Sequence, residues 1–134
     1  MCTCISRVLV SKKIEQELTA SLKNALGSVK IGHGLDPSTN LGPLIDMENQ
    51  KRAIGLIELA EKEAKMILRG EPGLGDLSKG SFISPTIFRI DDTTHSLVQN
   101  EHFIPMISIE TFDNEIEAIE KSNATRYGLA ASCL

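Results

Sequence analysis

RVLVSKKIEQELTASLKNALG, residues 7–27, is the stretch on which the fold turns. Arg7-Val8-Leu9-Val10 is a short β-branched run, and side chains stiff at χ1 favour an extended backbone, so it reads as a strand. From Lys12 the pattern changes: Ile14, Leu18, Leu22 and Leu26 recur every four residues until Gly27. That spacing stacks apolar side chains on one face of a helix, and the glycine closes it.

The same alternation continues downstream. Residues 28–43 carry Gly32, Gly34, Pro37, Gly42 and Pro43 and read as loop. Asp46 can then cap a second helix, in which Ile54, Ile57, Ala60 and Ala64 share a face. Residues 65–69 read as a second strand, and residues 70–80, with four of the ten glycines, as a surface turn. Strands are expected near 83–90 and over 106–110, separated by a mixed segment around 95–102. A last helix follows, capped by Asp113 with Ile116 and Ile119 inside, and residues 129–134 have strand character. Strands separated by helices imply an α/β fold, a parallel or mixed sheet with helices packed on it. All five aromatic residues follow Gly80, so the first half must fill its core with aliphatic side chains.

Composition narrows the function. The chain has 134 residues, enough for one globular core and too few for two ordinary domains. Fourteen basic against 18 acidic residues leave a net charge of −4, which gives no basic field to neutralise nucleic-acid phosphates. No apolar run approaches the roughly 20 residues of a membrane span. Three cysteines make no secreted disulfide framework, so a reducing, cytoplasmic setting is expected. The chain ends on the apolar Leu129-Ala130-Ala131-Ser132-Cys133-Leu134, which reads as an interior segment and creates the expectation of a longer protein.

Several motifs fail. Gly32-His33-Gly34 and Gly73-Leu74-Gly75 lack the third small residue of a dinucleotide loop, since Pro37 and Ser78 stand there, and neither opens a helix directly after a strand. Cys2, Cys4, Cys133, His33, His95 and His102 lack paired zinc-ligand spacing, so no metal site is expected and the histidines read as solvated surface residues. Cys4 and Cys133 read as small packing residues.

What remains is Cys2-Thr3-Cys4-Ile5-Ser6-Arg7-Val8-Leu9-Val10 together with Asn100-Glu101-His102-Phe103-Ile104-Pro105. With Gly42-Pro43, Ser84-Pro85-Thr86, Phe112-Asp113, Asn123 and Tyr127-Gly128-Leu129-Ala130-Ala131 in this order, the chain resembles the aldehyde dehydrogenase superfamily over nearly its whole length. The resemblance implies that family's catalytic domain, a three-layer arrangement of parallel or mixed strands with flanking helices, over residues 1–134.

The resemblance selects Cys2, five positions before Arg7, as the nucleophile rather than Cys4. A thiolate is the strongest ordinary protein nucleophile and needs only modest electropositive bias to form at neutral pH. It implies attack on an aldehyde, hydride departure to NAD or NADP, and hydrolysis of the resulting thioester. Glu101 matches the family glutamate that accepts hydrogen bonds from the nicotinamide ribose, and Phe103 the aromatic residue beside the nicotinamide. The chain departs from the family at Ile104, normally glycine. A β-branched residue resists backbone angles that glycine tolerates, so this loop is expected to sit differently.

The resemblance further implies a cofactor-binding domain, an oxyanion-hole asparagine and a general-base glutamate, all upstream of the cysteine and absent from these 134 residues. The expectation is therefore part of a larger, homo-oligomeric enzyme acting on a small aldehyde, with the chain inactive alone. The alternative is a non-catalytic structural or interaction module that keeps the fold, for which a solvent-facing Glu101 would speak.

Overall fold

The computed structural model describes residues 3–134. Its centre is a four-stranded sheet in the order β1-β4-β3-β2, made of β1 (Arg7–Ser11), β2 (Lys65–Leu68), β3 (Thr86–Arg89) and β4 (Met106–Phe112). β4 is parallel to both β1 and β3, while β2 runs antiparallel to β3. Parallel neighbours require long crossovers, because a tight turn returns the chain in the opposite direction. The helices α1 (Glu15–Gly27), α2 (Met47–Glu63), α3 (Ser96–Gln99) and α4 (Glu115–Ser122) lie in the connections or after the last strand.

Alternation along the strands supplies two apolar faces. Val10, Ile87 and Ile109 point to one face, where Leu18, Leu22 and Leu26 of α1 cover them. Phe88 and Met106 point to the other and meet Ala60 of α2 with Leu97 and Val98 of α3. The sheet thus lies between helices; the α1 face is filled by aliphatic side chains, whereas α2, also from the first half, packs against Phe88, so the first half does not rely on aliphatic partners alone. Asp46 caps α2, accepting the Asn49 N–H at 2.7 Å. The buried face of α2 consists of Gln50, Ala53, Ile57 and Ala60.

Two polar clusters set register. Arg7 on β1 donates through Nε to Glu110 on β4 at 2.7 Å and through Nη2 to the Lys121 carbonyl at 3.0 Å. Glu110 is fully buried, and its Oε2 has no partner among the described residues. Arg89 on β3 bridges Glu15, Asp91 and Thr111. Partial burial raises the Asp91 carboxyl, but the Thr111 N–H and hydroxyl and the Arg89 guanidinium together hold it below 3.8.

Some elements differ from expectation. α1 starts at Glu15 rather than Lys12, and Ile14, expected on its apolar face, is 54% exposed as the residue before the first turn. β3 spans Thr86–Arg89 within the expected 83–90, starting just after Pro85, which has no N–H to donate. β4 runs on to Phe112, since Val10 and Ser11 of β1 pair with Thr111 and Phe112. Asn114, not Asp113, caps α4: it accepts the Glu117 N–H at 3.0 Å while the Asp113 carboxylate is drawn to Lys12.

Ile116 and Ile119 are exposed rather than inside. The hydrogen bonds from Arg7 to the Lys121 carbonyl and from the Lys121 ammonium to the Thr111 carbonyl turn α4 so that its Glu117 and Lys121 side approaches the sheet. Residues 129–134 form no strand, having no ladder partner among the described residues, and Cys4 and Cys133 are exposed rather than packed.

The Arg7–Glu110 pair should be costly to break and cheap to replace. Arg7→Ala should lower the unfolding free energy in urea by about 3 kcal/mol, because Glu110 is left buried and uncompensated, whereas Arg7→Met with Glu110→Leu should recover most of that loss.

Candidate functional site

Because β1 and β4 are parallel neighbours, the segments that lead into them enter at the same end of the sheet. The Ser108 N–H donates to the Ser6 carbonyl at 2.9 Å, joining the lead-in to β1 directly to β4. Cys2 lies outside the described residues; the described chain begins with Thr3 and Cys4, both exposed. At the same end, residues 100–105 connect α3 to β4 and carry Glu101 and Phe103.

That loop is fixed at both ends. On the α3 side, His95 accepts the Leu97 N–H through Nδ1 at 3.1 Å and contacts Glu63 through Nε2 at 2.8 Å. The N–H and Nδ2 of Asn100 both donate to the Ser96 carbonyl. His102 is half-buried, with Nε2 3.1 Å from the Leu97 carbonyl. His95 is therefore the cap of α3 and His102 a structural member of the loop, rather than merely solvated, and the His33 and Phe82 rings stand nearly perpendicular to each other. On the β4 side, Ile104 packs between two core clusters, and the Thr86 N–H donates to the Pro105 carbonyl at 2.8 Å.

Phe103 lies between these anchors with φ +52°, the left-handed region. An aromatic side chain there costs on the order of 1–3 kcal/mol and persists only when its surroundings impose it. This relocates the strain expected of the sequence: the unusual angle falls on Phe103, not on Ile104. The β-branched residue keeps an ordinary φ and puts its side chain into the core, where glycine would contribute nothing.

The Glu101 side chain is exposed and its carboxylate takes no hydrogen bond or ion pair among the described residues; its N–H donates to the Tyr127 hydroxyl at 3.3 Å. Phe103 is 64% exposed. A free carboxylate and an open aromatic face two positions apart suit a ribose diol and a flat heteroaromatic ring, so the residues present fit a nicotinamide nucleotide. No group of three or more His, Cys, Asp or Glu side chains among the described residues could hold a metal ion.

Three contributors were given no site role by the sequence, although Tyr127 belongs to a motif of the family resemblance. Tyr127 meets the Glu101 N–H, Gln99 donates to the Ala124 carbonyl at 2.8 Å, and Arg52 on α2 donates to the His102 carbonyl at 2.7 Å. Each joins residues far apart in the chain. Only an unusual loop conformation could have directed attention to them.

Comparison with known proteins finds one family throughout. The profile of the aldehyde dehydrogenase family matches residues 1–134. The aldehyde dehydrogenase citD of Monascus ruber is 35% identical over 132 residues, covering 97% of this chain and 26% of its own length. HpcC of Thermus thermophilus superposes with a TM-score of 0.90 at 34% identity, covering 96% of this chain and 26% of HpcC. A betaine aldehyde dehydrogenase of Staphylococcus aureus, solved in complex with NAD+, superposes with a TM-score of 0.88 at 32% identity and the same coverages, 96% and 26%. The chain thus spans about a quarter of the length of these relatives.

Two outcomes follow from the loop's anchoring. Ile104→Gly should destabilise the chain by about 2 kcal/mol in denaturant titration, because it empties a partly buried site. Burial pushes the His102 imidazole below 6.5, the Arg52 charge adds to this, and the Leu97 hydrogen bond opposes it. A group whose folded pKa is depressed contributes stability that is complete above its unfolded value and is lost as pH falls through the folded one. The stability difference between wild type and His102→Gln should therefore be constant above pH 6.5 and change progressively below it, as read from unfolding curves across pH.

Proposed function

The chain belongs to the aldehyde dehydrogenase family, and from that premise we propose that it carries part of an NAD(P)-dependent aldehyde-oxidising site, with Cys2 as nucleophile and Glu101 and Phe103 as cofactor contacts. The parallel pairing of β1 with β4 carries this reading, because it starts both strands at one end of the sheet.

In this reading the Cys2 thiolate adds to the carbonyl carbon of an aldehyde. The backbone N–H of the cysteine steadies the resulting oxyanion. A bound nicotinamide supplies the hydride acceptor. Glu101 accepts from the ribose hydroxyls and so fixes the cofactor's orientation, while Phe103 covers one side of the ring and limits water access. Loss of hydride leaves an acyl thioester on Cys2, and attack by water releases the carboxylic acid and regenerates the thiol.

Proton removal from that water and most of the cofactor's binding surface are assigned to the remainder of a full-length enzyme, consistent with the quarter-length match to relatives. The 134 residues alone should then give no NADH when an aldehyde and NAD+ are added and absorbance is followed. A second reading, a non-catalytic module that keeps the fold, accounts equally for the solvent exposure of Glu101, so that exposure by itself does not separate the two.

Thiol labelling separates the two readings. In the folded chain Cys2 should be alkylated several-fold faster than the exposed Cys4 and Cys133, because a tuned nucleophile holds more thiolate at neutral pH. Millimolar NAD+ should also shift the amide resonances of Glu101 and Phe103. Equal rates for the three thiols, with no NAD+-dependent shift, would count for the module, since neither Cys2 nor the loop would then show a property of the site within this chain.

A further inference from the structure

We propose that Arg52 is the positioning residue of the cofactor-facing loop: by gripping the His102 carbonyl from α2, its guanidinium locks the 102–103 peptide plane and so holds Phe103 in its left-handed, outward-turned conformation. The role assigned to Phe103 rests on the reading given under Proposed function, whereas the hold itself rests on geometry.

The argument begins with which peptide is held. Arg52 Nη2 lies 2.7 Å from the oxygen of His102, and that carbonyl shares its plane with the Phe103 N–H. Turning the plane over would change ψ of His102 and φ of Phe103 together, so a donor fixed on this oxygen opposes the rotation that would relieve φ +52°. The neighbouring anchors act elsewhere. The Asn100 and His102 side chains fasten the loop to α3, and Ile104 fastens it to the core, which leaves the 102–103 plane between them as the free rotor.

Arg52 is itself well based. It stands beside Ala53, which is completely buried, on a helix anchored by Ile57 and Ala60. Its Nη2 also lies 3.4 Å from Asn49 Oδ1, and Asn49 donates through both its backbone N–H and Nδ2 to the capping carboxylate of Asp46. A chain of polar contacts therefore runs from the helix cap through Asn49 and Arg52 to the loop. An ionised donor on a backbone carbonyl is the stronger kind of hydrogen bond. A long flexible side chain recruited in this way contributes little to folding, because Arg52 remains exposed.

The test uses the 134-residue chain as wild type, Arg52→Met and Arg52→Lys, with NMR assignment of residues 100–106. Arg52→Met should move the His102 carbonyl carbon shift and take the Phe103 amide–α proton coupling and α-carbon shift out of the left-handed range, and Arg52→Lys, which keeps a donor, should restore much of that signature. The melting temperature and the β3 and β4 resonances should stay at their wild-type values in all three. Wild-type His102 and Phe103 signatures in Arg52→Met would overturn the proposal.

Because these readouts need no cofactor, the two claims can fail separately. If Arg52→Met releases Phe103 while millimolar NAD+ leaves the wild-type Glu101 and Phe103 resonances unmoved, the hold is supported and the assignment of Glu101 and Phe103 as cofactor contacts loses its support from this chain. If wild type responds to NAD+, Arg52→Met should weaken that response about tenfold, as a loop competent in one molecule in ten predicts. An unchanged response in a variant whose Phe103 has moved would overturn the link between the hold and the cofactor.

Discussion

The parallel pairing of β1 with β4 is the constraint on which the rest depends. It joins residues some hundred positions apart, from Arg7 opposite Ser108 to Ser11 opposite Phe112, and loop-closure entropy makes such a contact expensive to form. Backbone hydrogen bonds alone specify register weakly, since a slipped ladder still pairs. The Arg7–Glu110 ion pair supplies what the ladder lacks: with Glu110 fully buried, a slip would leave a charge without its partner. Arg89 does the same for β3, bridging Glu15, Asp91 and Thr111 where two strands and α1 meet.

From that pairing follows the placement of the candidate site. Two segments remote in sequence enter adjacent parallel strands and so share one end of the sheet. The core needs only Ile104 and Met106 from this region, and both are packed against it. Glu101 and Phe103, two positions apart on the same loop, are left to solvent, and Phe103 adopts a backbone angle that its side chain disfavours. Among the described residues Phe103 is the one non-glycine residue with a positive φ, and backbone strain of this kind gathers where a protein binds or reacts. The sheet and α2 provide the rigidity that keeps the strained residue in place.

The α/β alternation, the Asp46 cap and the leucine stripe of α1 were legible in sequence, because each depends on residues within a few positions of one another. So was the family, through the ordered series from Cys2-Thr3-Cys4 to Tyr127-Gly128-Leu129. The orientation of α4 was not legible. Its periodicity places Ile116 and Ile119 on one face, but hydrogen bonds linking Arg7, Lys121 and Thr111 put the other face against the sheet. The strand expected over residues 129–134 likewise required a partner that no local pattern can report.

Sequence by itself determined four strands and three of the helices in their order, and the family, and it marked Cys2, Glu101 and Phe103 as the residues to watch. Tertiary structure alone decided that strain falls on Phe103 and not on Ile104, that Glu101 faces solvent, and that Arg52, Tyr127 and Gln99 hold the segments around them. The physical reason is one of range. Hydrophobic period, capping and turn chemistry act over a few residues and are written locally, whereas a guanidinium reaching a carbonyl 50 positions away depends on how two packed elements lie against each other.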